Sequence, residues 1–304
     1  MNGTRRRKRV TRWLLTIAGV TAGSLLLIEI LARINIFTAQ REREPLGDRL
    51  YTEVSGSGDP IVLMAGLQGT TRYWGTGFDS LAADRRLIKV DLLGFGQSPW
   101  PDLEYTLDDH LAYLRRTLVA KGATSNVVLV AHSFGTIIAA AYAARYPDEI
   151  LHLYLLGTPV YDSEQEARKR IWDMSSLAAA FSLQPVLARE TCLLMGSFRP
   201  LFRGLMPAMS DLPRAVAEDS VLHSWPSMRG ALENVLLSEP IATFLTGVGR
   251  KTTFIHGTRD VVTPLDRVRS LSREVGGSVV SIDVDHQGYA TVARERVLSE
   301  IALH

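Results

Sequence analysis

Cysteine is nearly absent from this chain of 304 residues: Cys192 is the only one. An internal disulfide framework and any cysteine-built zinc site are thereby excluded, and the residue reads as a small hydrophobe. A basic face is missing as well. Six of the cationic residues (Arg5, Arg6, Arg7, Lys8, Arg9 and Arg12) fall in the first dozen positions, ahead of the first acid at Glu29. Without them the formal charge of +2 becomes about −4, so the remainder is mildly acidic and carries no nucleic-acid footprint. The glycine-bearing loop over 65–69 lacks the Lys and Ser/Thr that a phosphate-binding loop requires. Gly94 and Gly96 are followed by no glycine-opened helix and so make no dinucleotide fingerprint. The sequence implies neither a metal nor an organic cofactor. What remains is a chain 46% hydrophobic, suited to one large α/β domain with an insertion.

The most informative stretch is Asn126-Val127-Val128-Leu129-Val130-Ala131-His132-Ser133-Phe134-Gly135-Thr136-Ile137-Ile138. A β-branched apolar run climbs into a serine, and an alanine-rich helical run follows. A sharp strand-to-helix turn strains its central residue and leaves space only for small side chains two positions before and after. Ala131 and Gly135 occupy those positions. Such a turn holds a serine Oγ at the end of a sheet, beside a helix N-terminus. Ser133 therefore reads as a nucleophile, against the alternative of a buried turn that uses small residues for packing.

Two later segments weigh against that alternative. In Thr252-Thr253-Phe254-Ile255-His256-Gly257-Thr258-Arg259-Asp260, an apolar strand ends in a glycine turn, and an Asp precedes a helix starting near Pro264. In Val279-Val280-Ser281-Ile282-Asp283-Val284-Asp285-His286, a strand ends on a His, and a helix is expected over 290–303. Each of Ser133, Asp260 and His286 follows the C-terminal end of a strand, where open α/β sheets bind ligands. The order Ser, Asp, His belongs to the nucleophile-elbow fold.

With these segments on view, the chain from about residue 50 onward resembles the α/β-hydrolase superfamily. Ala65-Gly66-Leu67, Asp91-Leu92-Leu93-Gly94-Phe95-Gly96-Gln97-Ser98 and His256-Gly257-Thr258-Arg259-Asp260 complete the likeness. It implies a mostly parallel sheet of about eight strands flanked by helices, a Ser133-His286-Asp260 triad, and a helical cap after the sixth strand. Four positions depart from the family pattern: Ala131 and Thr136 replace elbow glycines, Ala65 replaces a His, and Asp285 stands where Gly is common before the catalytic His. No catalytic atom is lost, but the surroundings of the site change.

Residues 1–12 form a basic tail, and the segment over 13–37 is expected to be a transmembrane signal anchor. Its uncharged part, 13–28, is somewhat short of a hydrocarbon core, and extension to Phe37 takes in Glu29 and Arg33, which are spaced to pair on one helix face. The positive-inside bias places the N-terminus in the cytoplasm and the catalytic domain across the membrane. A cleaved signal peptide, giving a secreted enzyme, and an interfacial helix are the rival readings; Ile30-Leu31-Ala32-Arg33 makes a poor cleavage site. A tether over 38–49 follows, then a core made of 50–157 and 250–304, with the cap at 158–249.

Within the core, strands are expected over 50–54, 60–64, 87–90 and 150–156, and a helix over 107–120 is capped by Thr106 with Asp109. His110 on that helix reads as a surface or packing residue. His132 reads as structural, with a supporting role at the site as the alternative. Five of the seven methionines (Met174, Met195, Met206, Met209 and Met228) lie in the cap, where they suit either a pliable acyl pocket or ordinary packing. His223 and Trp225 there have no assignable role.

The expected chemistry is ester hydrolysis through an acyl-enzyme. His286 takes the Ser133 proton, Asp260 fixes its tautomer, and the backbone amides of Leu67 and Phe134 stabilise the oxyanion. Acyl lipids or hydrophobic small esters are the expected substrates. Carbon–carbon bond hydrolysis or cofactor-free perhydrolysis on the same triad, and a non-catalytic tethered binding protein, are the alternatives.

Overall fold

Runs of apolar, β-branched residues alternate with helical patterns from Thr52 onward, and the chain folds accordingly. The computed structural model describes residues 2–174, 183–210 and 212–304. Seven strands form one sheet: β1 (Thr52–Ser55), β2 (Pro60–Met64), β3 (Arg86–Val90), β4 (Val127–His132), β5 (Ile150–Leu156), β6 (Thr252–Gly257) and β7 (Ser278–Ile282). Their spatial order is β1-β3-β2-β4-β5-β6-β7. β1 pairs antiparallel with β3, and every other pairing is parallel. The expected count of eight is thus corrected to seven among the described residues, and the helical insertion follows the fifth strand. At the β1 edge the preceding chain enters a helix instead of adding a strand.

That helix, α1 (Asn2–Arg43), runs through the basic tail, the apolar segment and the start of the expected tether. The residues Ala39-Gln40-Arg41-Glu42-Arg43 are competent helix formers, and the first proline is Pro45, so nothing stops the helix earlier. A short 3₁₀ turn, Glu44–Leu46, ends it. Gly19–Leu46 is long and apolar enough to cross a membrane by length and composition, with mean hydropathy 1.7; an anchor and a signal sequence both meet that criterion. The side chains of residues 1–12 lie outside the described residues.

β2 and β4 are buried throughout, and their side chains alternate between two cores as the period of two requires. Val62, Met64, Leu129 and Ala131 face a cluster with α2 (Leu107–Ala120) and α3 (Phe134–Arg145). Ile61, Leu63, Val128 and Val130 face Trp74, Phe78 and the C-terminal helix. A Thr106–Asp109 capping box starts α2. Ala139, Ala140, Ala141 and Ala143 on α3 are all buried and let that helix sit close against the sheet.

Between β5 and β6 the described helices are α4 (Glu164–Met174), α5 (Pro185–Ser197), α6 (Arg199–Met209), α7 (Arg214–Asp219), α8 (Trp225–Ala231) and α9 (Ile241–Leu245). Pro185, Pro200 and Pro226 sit in first turns, where a missing N–H is harmless. The side chain of Met174 lies outside the described residues. After β6 come α10 (Leu265–Val275) and α11 (Arg294–Ile301). The helix expected over 290–303 is divided: a 3₁₀ turn, Gly288–Ala290, precedes α11.

The second half of α1 is fastened to the body of the protein. Ser197 Oγ donates to Ile28 O at 2.9 Å, and Arg189 pairs with Glu29 at 2.7 Å while Arg33 pairs with the other oxygen of Glu29 at 3.1 Å. Further along, Gln40 Nε2 donates to Trp100 O at 2.7 Å, and Arg43 Nη2 to Gly96 O at 2.7 Å. The segment read as a tether is therefore a docked helix end.

Candidate active site

Ser133 caps α3 with φ 50° and ψ −122°, in the left-handed half of backbone space where a non-glycine residue is strained. Its neighbours must be small for measurable reasons. A Cβ on Gly135 would lie 2.5 Å from Ala65 O, and one on Gly66 would lie 3.0 Å from Ser133 Cβ. The loop after β2 thus rests directly on the serine.

The three polar residues singled out from separate segments meet here. His286 Nε2 lies 2.9 Å from Ser133 Oγ, and His286 Nδ1 lies 2.8 Å from Asp260 Oδ2. Ser133 follows β4, Asp260 follows β6 and His286 follows β7, so three strands of the same parallel run deliver all three to one end of the sheet. The Asp260 carboxylate is fully used. Oδ1 accepts from Val262 N at 2.9 Å and Thr263 N at 3.4 Å, and Oδ2 also accepts from Tyr289 Oη at 3.0 Å. Burial by itself would raise its pKa, but the hydrogen bond and charge of His286, with His256 and the Tyr289 hydroxyl, hold it down at about 2. Asp283 and Asp285 lie elsewhere: Asp283 pairs with Arg259 at 2.9 Å, and Asp285 Oδ1 accepts from Gln287 N at 3.0 Å.

A second layer holds His286 in place. His132 Nε2 donates to the backbone carbonyl of His286 at 2.8 Å, which fixes its Nε2–H tautomer. The His132 ring stacks on Tyr73 with centroids 4.7 Å apart. Burial, and then the neighbouring His286, push His132 down to about 3, so it stays neutral. Tyr289 Oη, besides donating to Asp260, accepts from Gly257 N at 2.9 Å. His256 Nε2 donates to Thr263 O at 2.8 Å, steadying the turn that carries Asp260. Tyr73 and Tyr289 carry no signal in the sequence, because their contacts cross between elements, and His256 opens the motif that ends at Asp260 without a role being legible for it.

Leu67 sits in the loop beside Ser133, and Phe134 opens α3, so both amides lie in backbone adjoining the serine. The next residue, Gln68, has φ 62° and lines an apolar cavity of about 560 Å³ among the cap helices. Met195, Met206, Met209 and Met228 all line that cavity, as do His223 and Trp225. Cys192 is there too, 3.5 Å from His223 Nε2, with its thiol pushed by burial up to about 12 and therefore neutral. Gln68, next to Leu67, lines the cavity, whereas Ser133 is not in its wall. A larger polar cleft of about 690 Å³, between α1 and the loops at Thr70 and Gly96, contains none of Ser133, Asp260 and His286. His110, on α2, is buried with its ring centroid 5.5 Å from that of Phe134 in an edge-on contact, a packing position. Asp91 accepts from Thr71 N at 2.6 Å and Gln97 N at 2.8 Å, tying together the loops after β2 and β3. Among the described residues no group of three or more His, Cys, Asp or Glu is arranged to hold a metal.

The chain is similar to the probable lysophospholipase BODYGUARD 3 of Arabidopsis thaliana, with 26% identity over 261 residues, 77% of this chain and 52% of that protein. It spans about half the length of such curated relatives. A haloalkane dehalogenase of Agrobacterium fabrum is 36% identical over 104 residues, 34% of each chain. In three dimensions a carboxylesterase structure from Nitrososphaera gargenis shares the fold, with a TM-score of 0.65, 19% identity, and coverage of 84% of this chain and 94% of that one. The alpha/beta hydrolase fold family model matches residues 59–280, which is most of the chain. The seven-stranded, mostly parallel sheet with its flanking helices agrees with that match, and this chain belongs to the alpha/beta hydrolase fold family.

Proposed function

We propose that this protein is a serine hydrolase of carboxylic esters, acting on acyl lipids or hydrophobic small esters while held at a membrane by α1. The observation that carries the reading is the continuous hydrogen-bonded line from Ser133 Oγ through His286 to Asp260, at 2.9 and 2.8 Å. In this reading His286 Nε2 takes the Ser133 proton as Oγ attacks the ester carbonyl. Asp260 keeps the proton on Nδ1 and stabilises the imidazolium. The amides of Leu67 and Phe134 donate to the oxyanion. The imidazolium then protonates the leaving alkoxide, and water, deprotonated by the same His, releases the acid and restores the serine.

The substrate class rests on the methionine-rich cavity that Gln68 helps to line and on the likeness to an Arabidopsis protein named a probable lysophospholipase. Methionine moulds to irregular apolar shapes, as a flexible acyl chain requires. The domain division follows the same reading: a core of 50–157 and 250–304, with the cap at 158–249. The basic tail ahead of the apolar helix keeps the N-terminus in the cytoplasm and puts the hydrolase on the opposite side. The test is turnover of p-nitrophenyl esters of increasing acyl length. Activity should peak at a definite length, and Ser133→Ala should lower it by about four to six orders of magnitude with folding intact. A variant that keeps a tenth of the activity would overturn the assignment.

A further inference from the structure

Two helical surfaces of this protein are apolar on the side that faces away from it. On α1 the residues against the protein are Ile28, Ala32, Asn35 and Ala39, and those on the opposite face are Leu27, Ile30, Ile34 and Phe37, all exposed. On α6 apolar residues lie on two sides, Phe202 and Met206 lining the cavity and others standing in the open. Its two arginines are bonded to the protein: Arg199 Nε donates to Val221 O at 3.2 Å, and Arg203, though half-exposed, pairs with the buried Asp219 at 2.8 Å. Its apolar residues Leu201, Leu205 and Met209, spaced one turn apart, face outward and are 57%, 43% and 67% exposed. A helix against water carries its polar face outward, and an apolar patch of this extent marks a binding surface.

The two surfaces adjoin. Ser197, at the end of α5, bonds both Ile28 O and, through its carbonyl, Asn35 Nδ2 at 3.4 Å. Leu194 and Phe198 stand a turn before and one residue after Ser197, and both are exposed. Leu194 and Met209 also line the apolar cavity, so the rim of the cavity is part of the exposed patch.

We propose that the outward faces of α1, α5 and α6 form one surface seated in the hydrocarbon of the membrane that α1 enters, and that acyl chains pass from the bilayer into the cavity between Leu194 and Met209. The proposal rests on the reading of α1 as a membrane segment. A bilayer is the occupant that fits: the patch is continuous with the apolar helix, and the cap cations beside it are bonded to the protein, the half-exposed Arg189 and Arg203 neutralised by Glu29 and Asp219 and Arg199 donating to Val221 O. Hydrophobic esters then reach Ser133 without crossing water.

The test uses the full chain in phosphatidylcholine vesicles. A Leu205→Cys variant in a Cys192→Ala background carries an environment-sensitive NBD label at position 205. Its emission should shift to the blue and be quenched by lipids bearing a doxyl group on the acyl chain. Water-like emission without quenching overturns the proposal. Carbonate washing of the same vesicles tests α1 separately: retained but unquenched protein leaves the anchor standing and removes the surface, whereas release removes the anchor and leaves the label to decide the surface. In parallel, the double variant Leu201→Asp, Leu205→Asp should lose about tenfold or more of its activity on an ester embedded in vesicles, since charge is costly in hydrocarbon. Its activity on p-nitrophenyl acetate should stay within about twofold, because neither residue lines the cavity. Equal loss on both substrates would overturn the proposal.

Discussion

Replacing Asp260 with Asn tests the geometry of the site atom by atom. Oδ1 accepts from the backbone amides of Val262 and Thr263, so the amide oxygen of an Asn must stay on that side. Its NH₂ group then points at His286 Nδ1 and Tyr289 Oη, which lie 2.8 and 3.0 Å from Oδ2 in the native protein. A donor facing Nδ1 forces the imidazole to place its proton on Nε2. In that tautomer Nε2 donates toward Ser133 Oγ and cannot accept its proton. The stabilising charge beside the imidazolium disappears as well. The corresponding exchange in the serine-protease template costs about 10⁴-fold, equivalent to about 5.5 kcal/mol of transition-state stabilisation. The assay is kcat/KM on a p-nitrophenyl ester near pH 7, with circular dichroism to confirm the fold. Asp283→Asn and Asp285→Asn are the controls, because Asp283 pairs with Arg259 and Asp285 caps a local turn. Asp260→Asn within tenfold of wild type, together with an inactive Asp283 or Asp285 variant, would refute the reasoning.

Tyr289→Phe removes one of the two side-chain donors on Asp260 Oδ2 and leaves Gly257 N without its partner. A loss of about 2–4 kcal/mol of stability is expected in urea unfolding, with a smaller fall in kcat than for Asp260→Asn. His110 is buried and pushed by burial down to about 4 from its ordinary 6.5, so the unfolded chain takes up this proton first as pH falls. Its contribution is complete above pH 6.5 and is lost as pH falls to about 4, amounting to about 3 kcal/mol. His110→Leu should therefore unfold less steeply with acid over that range; an unchanged slope would contradict the burial argument.

Much of this molecule was legible in the sequence because its signals are local. The run into Ser133 is a strand followed by a helix with small residues at the tight positions, and both the strained φ of Ser133 and the crowding at Gly135 are what such a turn demands. The Thr106–Asp109 cap could be read for the same reason. Asp260 and His286 were locatable because each follows a strand, and parallel strands deliver such residues to one end of the sheet. The strand count was carried from family likeness instead of from residues, and it missed by one because the chain ahead of β1 is helical. The reach of α1 to Arg43 was missed because Gln, Arg and Glu suit a helix and a tether equally until Pro45 intervenes. Tyr289 and Tyr73 leave no trace in the sequence, since their work lies in hydrogen bonds and stacking between elements, and His256 stands in the motif that ends at Asp260, which does not reveal its bond to Thr263. The cap methionines signalled an adaptable interior, but only the packing of α5, α6 and α8 shows that four of them share one cavity.

The most direct test of the central claim is intact-mass and peptide analysis of the protein after treatment with a fluorophosphonate probe. The account predicts one adduct, on the peptide that carries Ser133, absent from denatured protein and from Ser133→Ala. An adduct that persists in Ser133→Ala, or an active enzyme that takes up no probe at Ser133, would contradict it.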